Sequence, residues 1–276
     1  MDNMILMNML VLGSIAFVAA FVLYVVSQKF KVEKDPLENK IASVLPQANC
    51  GGCGKAGCAA FAHACFAANE EAFRELYCPV GGNTVMKKIA KLKGVEMSAK
   101  LPTVAVLRCQ GTCKNAPAKV LYDEMSSCRI AARVSVGETG CPDGCLHLGD
   151  CVKVCKFGAL SFDAETEMPV VDADKCVSCG ACVKACPRGL FEIRPFSKNG
   201  AQVYVACRNK QKGAAARKNC SKACIGCMKC SKINEAVRVE DNLSYIPLDV
   251  DADKCGAELS SACPTGAIVY KERAHD

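Results

Sequence analysis

Tryptophan is absent from this 276-residue chain, and ten Phe, six Tyr and three His are all the ring side chains it has besides proline. Large aromatics supply much of the burial in an ordinary core, so conventional apolar packing is restricted. The hydrophobic content of 51% counts cysteine as apolar, and it falls to about 43% without it. No Ser/His/Asp arrangement, glycine-rich phosphate loop or recognisable group of paired acids stands out. Hydrolytic and phosphoryl-transfer chemistry therefore have no carrier.

What the chain has instead is 23 cysteines. An odd count at spacings of two or three residues excludes a fully paired disulfide framework. Such thiols are placed to face a common metal centre, and keeping them reduced implies a cytoplasmic location for most of the chain.

Met4 to Val26 is an apolar run of 23 residues broken only by Asn8 and Ser14. At ~1.5 Å per residue it can cross a ~30 Å hydrocarbon layer. A signal peptide would need a basic leader and a small-residue cleavage site; the only early charge is Asp2, and the run ends at Ser27-Gln28-Lys29. A retained transmembrane anchor over 1–28 is the expectation. Lys29, Lys31 and Lys34 flank its carboxyl end and no Lys or Arg flanks the other, which places the bulk on the cytoplasmic side of the inner membrane.

A linker over 29–36 leads into helical spacing from Leu37 to Leu45. Ala59 to Tyr77 reads as one Ala-rich helix, Thr84 to Lys93 as another, and Pro102 to Leu107 as a short strand. An internal repeat organises the rest. Cys128, Cys141, Cys145, Cys151 and Cys176 recur 79 residues later as Cys207, Cys220, Cys224, Cys230 and Cys255, and Asp172-Ala-Asp-Lys-Cys176 returns as Asp251-Ala-Asp-Lys-Cys255. Glu258 and Ser261 stand where the register of Cys179 and Cys182 falls.

Cys176-Val-Ser-Cys179-Gly-Ala-Cys182-Val-Lys-Ala-Cys186-Pro187 is the C-x2-C-x2-C-x3-C-P run of bacterial ferredoxins, in which three thiolates wrap one cubane and the fourth ligates its neighbour. Cys155 with Cys176, Cys179 and Cys182 is expected to hold one [4Fe-4S] cluster. Its companion is expected on Cys141, Cys145, Cys151 and Cys186, with Cys141 substituting for the cysteine that Leu148 replaces. In the second copy Cys224, Cys227 and Cys230, with remote Cys263, make a third site. The counterpart that would use Cys255 has lost its ligands and is expected to be missing. Upstream, Cys50-Gly-Gly-Cys53-Gly-Lys-Ala-Gly-Cys58 with Cys78 makes a fourth; its glycines let backbone N–H groups approach sulfur. Structural zinc is the bland alternative there. The formal match to a dinucleotide fingerprint at Gly52, Gly54 and Gly57 lacks a preceding strand and has a cysteine inside it.

Four clusters are expected and a fifth is possible. Cys109, Cys113 and Cys128 either form it with a borrowed ligand, Cys207 or Cys220, or are structural. Cys65 reads as a small buried hydrophobe, Cys255 as a relic, and His63, His147 and His275 as non-ligands. The lysines at 87, 88, 91 and 93 read as a solvated helix face, with a docking surface for an acidic electron carrier as the sharper alternative. The net charge of +7 treats every cysteine as neutral; four sites at −2 each bring the total to about −1, which removes the basis for nucleic-acid binding. Cluster ligation should replace much of the missing core, so folding should depend on metal delivery.

The anchor, the stretch Leu45-Pro46-Gln47-Ala48-Asn49-Cys50-Gly51-Gly52-Cys53-Gly54, Cys78 and the ferredoxin pair together closely resemble the B subunit of Rnf-type ion-translocating electron-transport complexes. Cys145-Leu-His-Leu-Gly-Asp-Cys151 and the extra repeat look like its long, anaerobe-type version. The resemblance implies an α+β chain: a single N-terminal transmembrane helix, a small helical four-cysteine [4Fe-4S] domain (37–98), then tandem bacterial-ferredoxin-like units over 99–200 and 201–276, with two clusters and one. It also implies a non-catalytic electron-transfer subunit of a translocase, with soluble ferredoxin, flavin-bearing and other membrane subunits, and lipid as partners. A membrane-tethered ferredoxin serving a different oxidoreductase is the alternative.

Overall fold

The structure, a computed structural model, describes residues 2–29, 35–121 and 126–272. Lys31, Lys34, most of the expected linker and His275 lie outside the described residues. Helix α1 (Asp2–Lys29) contains a stretch, Met7–Ser27, of mean hydropathy 2.6 that is long and apolar enough to cross a membrane. Its two serine hydroxyls are satisfied within the helix, Ser14 donating to the Val11 carbonyl at 2.9 Å and Ser27 to that of Tyr24 at 2.8 Å.

Four helices follow: α2 (Pro36–Val44), α3 (Cys58–Ala67), α4 (Glu70–Glu75) and α5 (Gly82–Lys93). Asp35 caps α2 by accepting from the Leu37 N–H at 2.7 Å, with proline at the first helical position where no N–H is needed. The single helix expected over Ala59–Tyr77 is instead two. Asn69 accepts from the Ala72 N–H at 2.9 Å and starts α4 afresh. The Lys93 ammonium donates to the carbonyls of Cys65, Phe66 and Ala68, closing the end of α3. Lys87, Lys88 and Lys91 keep the solvated face, but Lys93 is a structural cap. Ile41, Phe61, Phe73, Met86 and Ile89 fill the core of these helices.

Two units of the same element order complete the chain. The first runs β1 (Thr103–Leu107), α6 (Cys128–Val134), α7 (Asp150–Lys153), β2 (Leu160–Phe162), β3 (Pro169–Val171), α8 (Ala181–Ala185) and β4 (Phe191–Pro195). The second runs β5 (Gln202–Val205), α9 (Gly213–Asn219), α10 (Lys229–Ile233), β6 (Arg238–Glu240), β7 (Leu243–Tyr245), α11 (Ala252–Ala262) and β8 (Ile268–Lys271). In each, the first strand lies antiparallel to the last and the middle two form a hairpin.

The units meet along a small core of Val104, Val106, Phe196, Tyr204 and Ala206. Two buried arginines cross the same seam. Arg108 donates to the Val205 carbonyl at 3.2 Å, and Arg194 to those of Ile246 and Pro247 at 2.7 and 3.0 Å. Glu192 faces both guanidinium groups and accepts from the Tyr245 hydroxyl at 2.7 Å. These charges are paired and hydrogen-bonded, the condition under which buried ions are tolerated.

Candidate iron–sulfur sites

The four-cysteine loop converges as the spacing suggests. Burial chiefly, and then the nearness of Cys53, Cys58 and Cys50, pushes the Cys78 thiol up. Gly52 and Gly81 donate N–H groups to the sulfurs of Cys50 (3.5 Å) and Cys78 (3.4 Å), and the Asn49 carboxamide oxygen accepts from the Cys58 N–H at 2.8 Å.

Farther along, cysteines line four small cavities. Cys155, Cys176, Cys179 and Cys182 line the first, and Cys224, Cys227, Cys230 and Cys263 the last. In both, the groups are those that the spacing suggests. The companion set is redrawn. Cys145, Cys151 and Cys186 share their cavity with Cys128, which leads into α6, and Cys141 lies in a different cavity with Cys109, Cys207 and Cys220. Leu148 does leave a gap in the ligand run, but two upstream cysteines were candidates to fill it. The docking of α6 against α7, where Ser127 donates to the Asp150 carboxylate at 2.9 Å, brings Cys128 rather than Cys141 to the gap.

Three of these loops share one backbone shape. The second and fourth residues after the leading cysteine are left-handed: Ser178 and Gly180 after Cys176, Gly226 and Met228 after Cys224, His147 and Gly149 after Cys145. Non-glycine residues adopt this region at a cost. Its recurrence in three loops fits a common demand, that of wrapping the chain round a bulky group. Backbone N–H groups reach the sulfurs from one of these loops, at His147, and from neighbouring backbone, at Leu190 and Ser244. His147 donates to Cys145 at 3.5 Å, Leu190 to Cys186 at 3.4 Å and Ser244 to Cys224 at 3.4 Å.

Donor type fits iron–sulfur clusters. Among the described residues no three His, Cys, Asp or Glu side chains close on a point where one metal ion could sit. A zinc ion needs sulfurs at ~2.3 Å; thiols spread round a cavity suit a cluster that spans it with its own atoms. Burial pushes Cys151 up to about 11 and Cys182 to about 12, so free thiolates are disfavoured there without cationic iron to offset their charge.

The other candidates stand apart. Cys65 is fully buried; Cys113 is exposed and donates to the Glu165 carbonyl at 3.5 Å. Cys255 receives the Asn234 carboxamide N–H at 3.5 Å. His63 is exposed beside Glu38, and the His147 ring packs on the Gly111 carbonyl at 3.1 Å, so neither faces a cysteine cavity as a donor. Asn209 and Ser244 were not singled out by sequence. Both are buried within reach of cysteine sulfur, Asn209 at 3.4 Å from Cys141 and Ser244 at 3.1 Å from Cys230, and only the tertiary fold reveals it.

Comparison with known proteins agrees with this chemistry. Residues 141–190 match the 4Fe-4S dicluster domain family, and residues 45–72 a family described as "Putative Fe-S cluster". The chain carries [4Fe-4S] clusters. It is 38% identical to the B subunit of the ion-translocating oxidoreductase complex of Methanosarcina acetivorans, over 97% of this chain and 99% of that one. At the same identity it covers 92% of the B subunit of the proton-translocating ferredoxin:NAD(+) oxidoreductase complex of Clostridium ljungdahlii and 78% of the Na(+)-translocating counterpart in Acetobacterium woodii. With likeness of this extent resting on the same cysteine-built scaffold, the chain belongs to the family of B subunits of ion-translocating oxidoreductase complexes.

Proposed function

We propose that this chain is the membrane-anchored polyferredoxin through which electrons from a soluble reduced ferredoxin enter such a complex. Membrane-embedded and flavin-bearing partner subunits then couple ferredoxin/NAD electron transfer to Na+ or H+ movement. The observation that carries the reading is the division of the cysteines into separate thiol-lined cavities with inward N–H groups, in a chain alike over its length to subunits so named.

The proposed ligand sets are Cys50, Cys53, Cys58 and Cys78; Cys155, Cys176, Cys179 and Cys182; Cys128, Cys145, Cys151 and Cys186; and Cys224, Cys227, Cys230 and Cys263. Bound there, [4Fe-4S] clusters supply reversible one-electron storage. The chain's own residues hold the thiolates, donate N–H groups that offset charge on sulfur, and exclude water. Tandem ferredoxin-like units over 99–200 and 201–276 follow the four-cysteine domain of 37–98, and α1 anchors them over 1–28 with the bulk in the cytoplasm, as the lysines at 29, 31 and 34 favour. No ionisable side chain other than Tyr24 lies within Met7–Ser27, which makes α1 a poor ion path and leaves translocation to partners.

The test uses the full chain purified anaerobically in detergent. Stoichiometric reduced ferredoxin should bleach its absorption at about 400 nm, and flavin-bearing membrane subunits should co-purify from the native membrane. Bleaching by dithionite but never by ferredoxin would sink the proposal.

A further inference from the structure

One cysteine-lined cavity is left over, and it lies between the two units. Cys109, Cys141, Cys207 and Cys220 line it with Cys145, which also lines the cavity of Cys128, Cys151 and Cys186, together with Arg208 and Lys222 and one opposing charge, Asp143. Resting on the iron–sulfur reading above, we propose that these four cysteines hold a further [4Fe-4S] cluster, built two-and-two by the units on either side.

The set has an internal symmetry that chance proximity would not produce. Each unit gives one cysteine two residues past the end of its first strand: Cys109 after Leu107 of β1, and Cys207 after Val205 of β5. Each gives a second from four residues before a cysteine of the next ligand loop: Cys141 before Cys145, and Cys220 before Cys224. Backbone placement follows the same pairing. The Gly111 N–H donates to the Cys109 sulfur at 3.3 Å, and the backbone two residues beyond each of the other cysteines, at Asp143, Asn209 and Lys222, lies beside the sulfurs of Cys141, Cys207 and Cys220. The backbone of Cys145 likewise lies beside Cys109, and that of its repeat partner Cys224 beside Cys207. The Gly111 donor repeats the inward N–H groups of the other ligand loops where no run of closely spaced cysteines announces a site.

A further donor comes from a side chain. Asn209, 2% exposed, gives its carboxamide N–H to the Cys141 sulfur at 3.4 Å. Four thiolates round a cubane carry a net charge of about −2, and Arg208 and Lys222 against Asp143 leave the wall with a net positive charge to meet it. The cavity also explains the spare cysteines of the repeat. Cys128 fills the gap at Leu148, whereas Cys227 occupies that place in the second unit, so Cys207 is left for the seam.

Iron, acid-labile sulfide and zinc per full-length chain, purified anaerobically, test the proposal. Four sets give about sixteen irons and five give about twenty. The wild type should carry about twenty, and Cys207→Ala/Cys220→Ala about four fewer of both iron and sulfide, with one [4Fe-4S] component missing from the Mössbauer and EPR spectra. Should the double variant not accumulate, Cys109→Ala on the opposite unit is read in the same way, against Cys113→Ala, which should change nothing. About sixteen irons in the wild type, with or without one zinc, overturns the seam cluster, as does an iron count that none of the seam variants lowers. Either result leaves reduction by ferredoxin intact. Conversely, a chain with about twenty irons that ferredoxin cannot reduce keeps the seam cluster and loses the relay.

Discussion

Cys65 and Cys113 carry the same thiol to opposite fates. Cys65 is closed in by Phe61, Phe73 and Ile89 of the four-helix core, and burial pushes its thiol from 9.0 up to about 12. Cys113 is exposed. Because the thiolate is the reacting form, a haloacetamide at about pH 8 should label Cys113 on the intact protein and leave Cys65 untouched, as peptide mapping would report. The pH sign follows from the same shift. The folded-state value lies above the unfolded one, so the neutral thiol's contribution is fully present below about pH 9 and is lost as pH rises toward about 12. Labelling of Cys65 at about pH 8 without loss of iron would contradict its burial.

Among the elements, α11 is the informative one. Asp172 and Asp251 open identical five-residue stretches, and both begin alike: the aspartate carboxylate accepts from the N–H two residues on, and its carbonyl accepts from the cysteine N–H. After the cysteine they part. The first copy passes through the left-handed Ser178 and Gly180 of a ligand loop into the five residues of α8; the second continues as the eleven-residue α11, which buries Leu259. With Glu258 and Ser261 in place of cysteine nothing demands a wrapping loop, and the helix takes the space. Cys255→Ala should therefore leave iron content unchanged and lower stability by only about 1 kcal/mol, through the lost contact with Asn234. Loss of four irons would show that α11 hides a working site. The break in the cysteine register at Glu258 and Ser261 is legible in the sequence, because it needs only the repeat. The choice of Cys128 over Cys141 was not, since both precede the same loop and only the packing of α6 on α7 separates them. Nor was the split between α3 and α4, which depends on Lys93 reaching across from α5.

At the scale of the molecule, the four-cysteine domain touches the first unit through a glycine. A Cβ on Gly52 would lie 2.9 Å from both the Cα and the carbonyl oxygen of Cys179, and 3.0 Å from the Pro79 ring. Two ligand loops are thus in backbone contact, and the obstacle to a side chain is space rather than φ. Gly52→Ala should weaken this contact by about 1–3 kcal/mol, seen as a lower thermal midpoint of the full chain with iron content unchanged; an unaltered midpoint would mean that the two parts do not rely on it. Beyond Cys179, the cavities follow one another. The Cys176-to-Cys186 run serves two of them, Cys145 borders both its own and the seam cavity, and Cys220 stands four residues before Cys224. Cys145 in two walls at once sets the seam cavity beside the one that Cys128, Cys151 and Cys186 line. An oxidative lesion at that one thiol would therefore damage two walls at once.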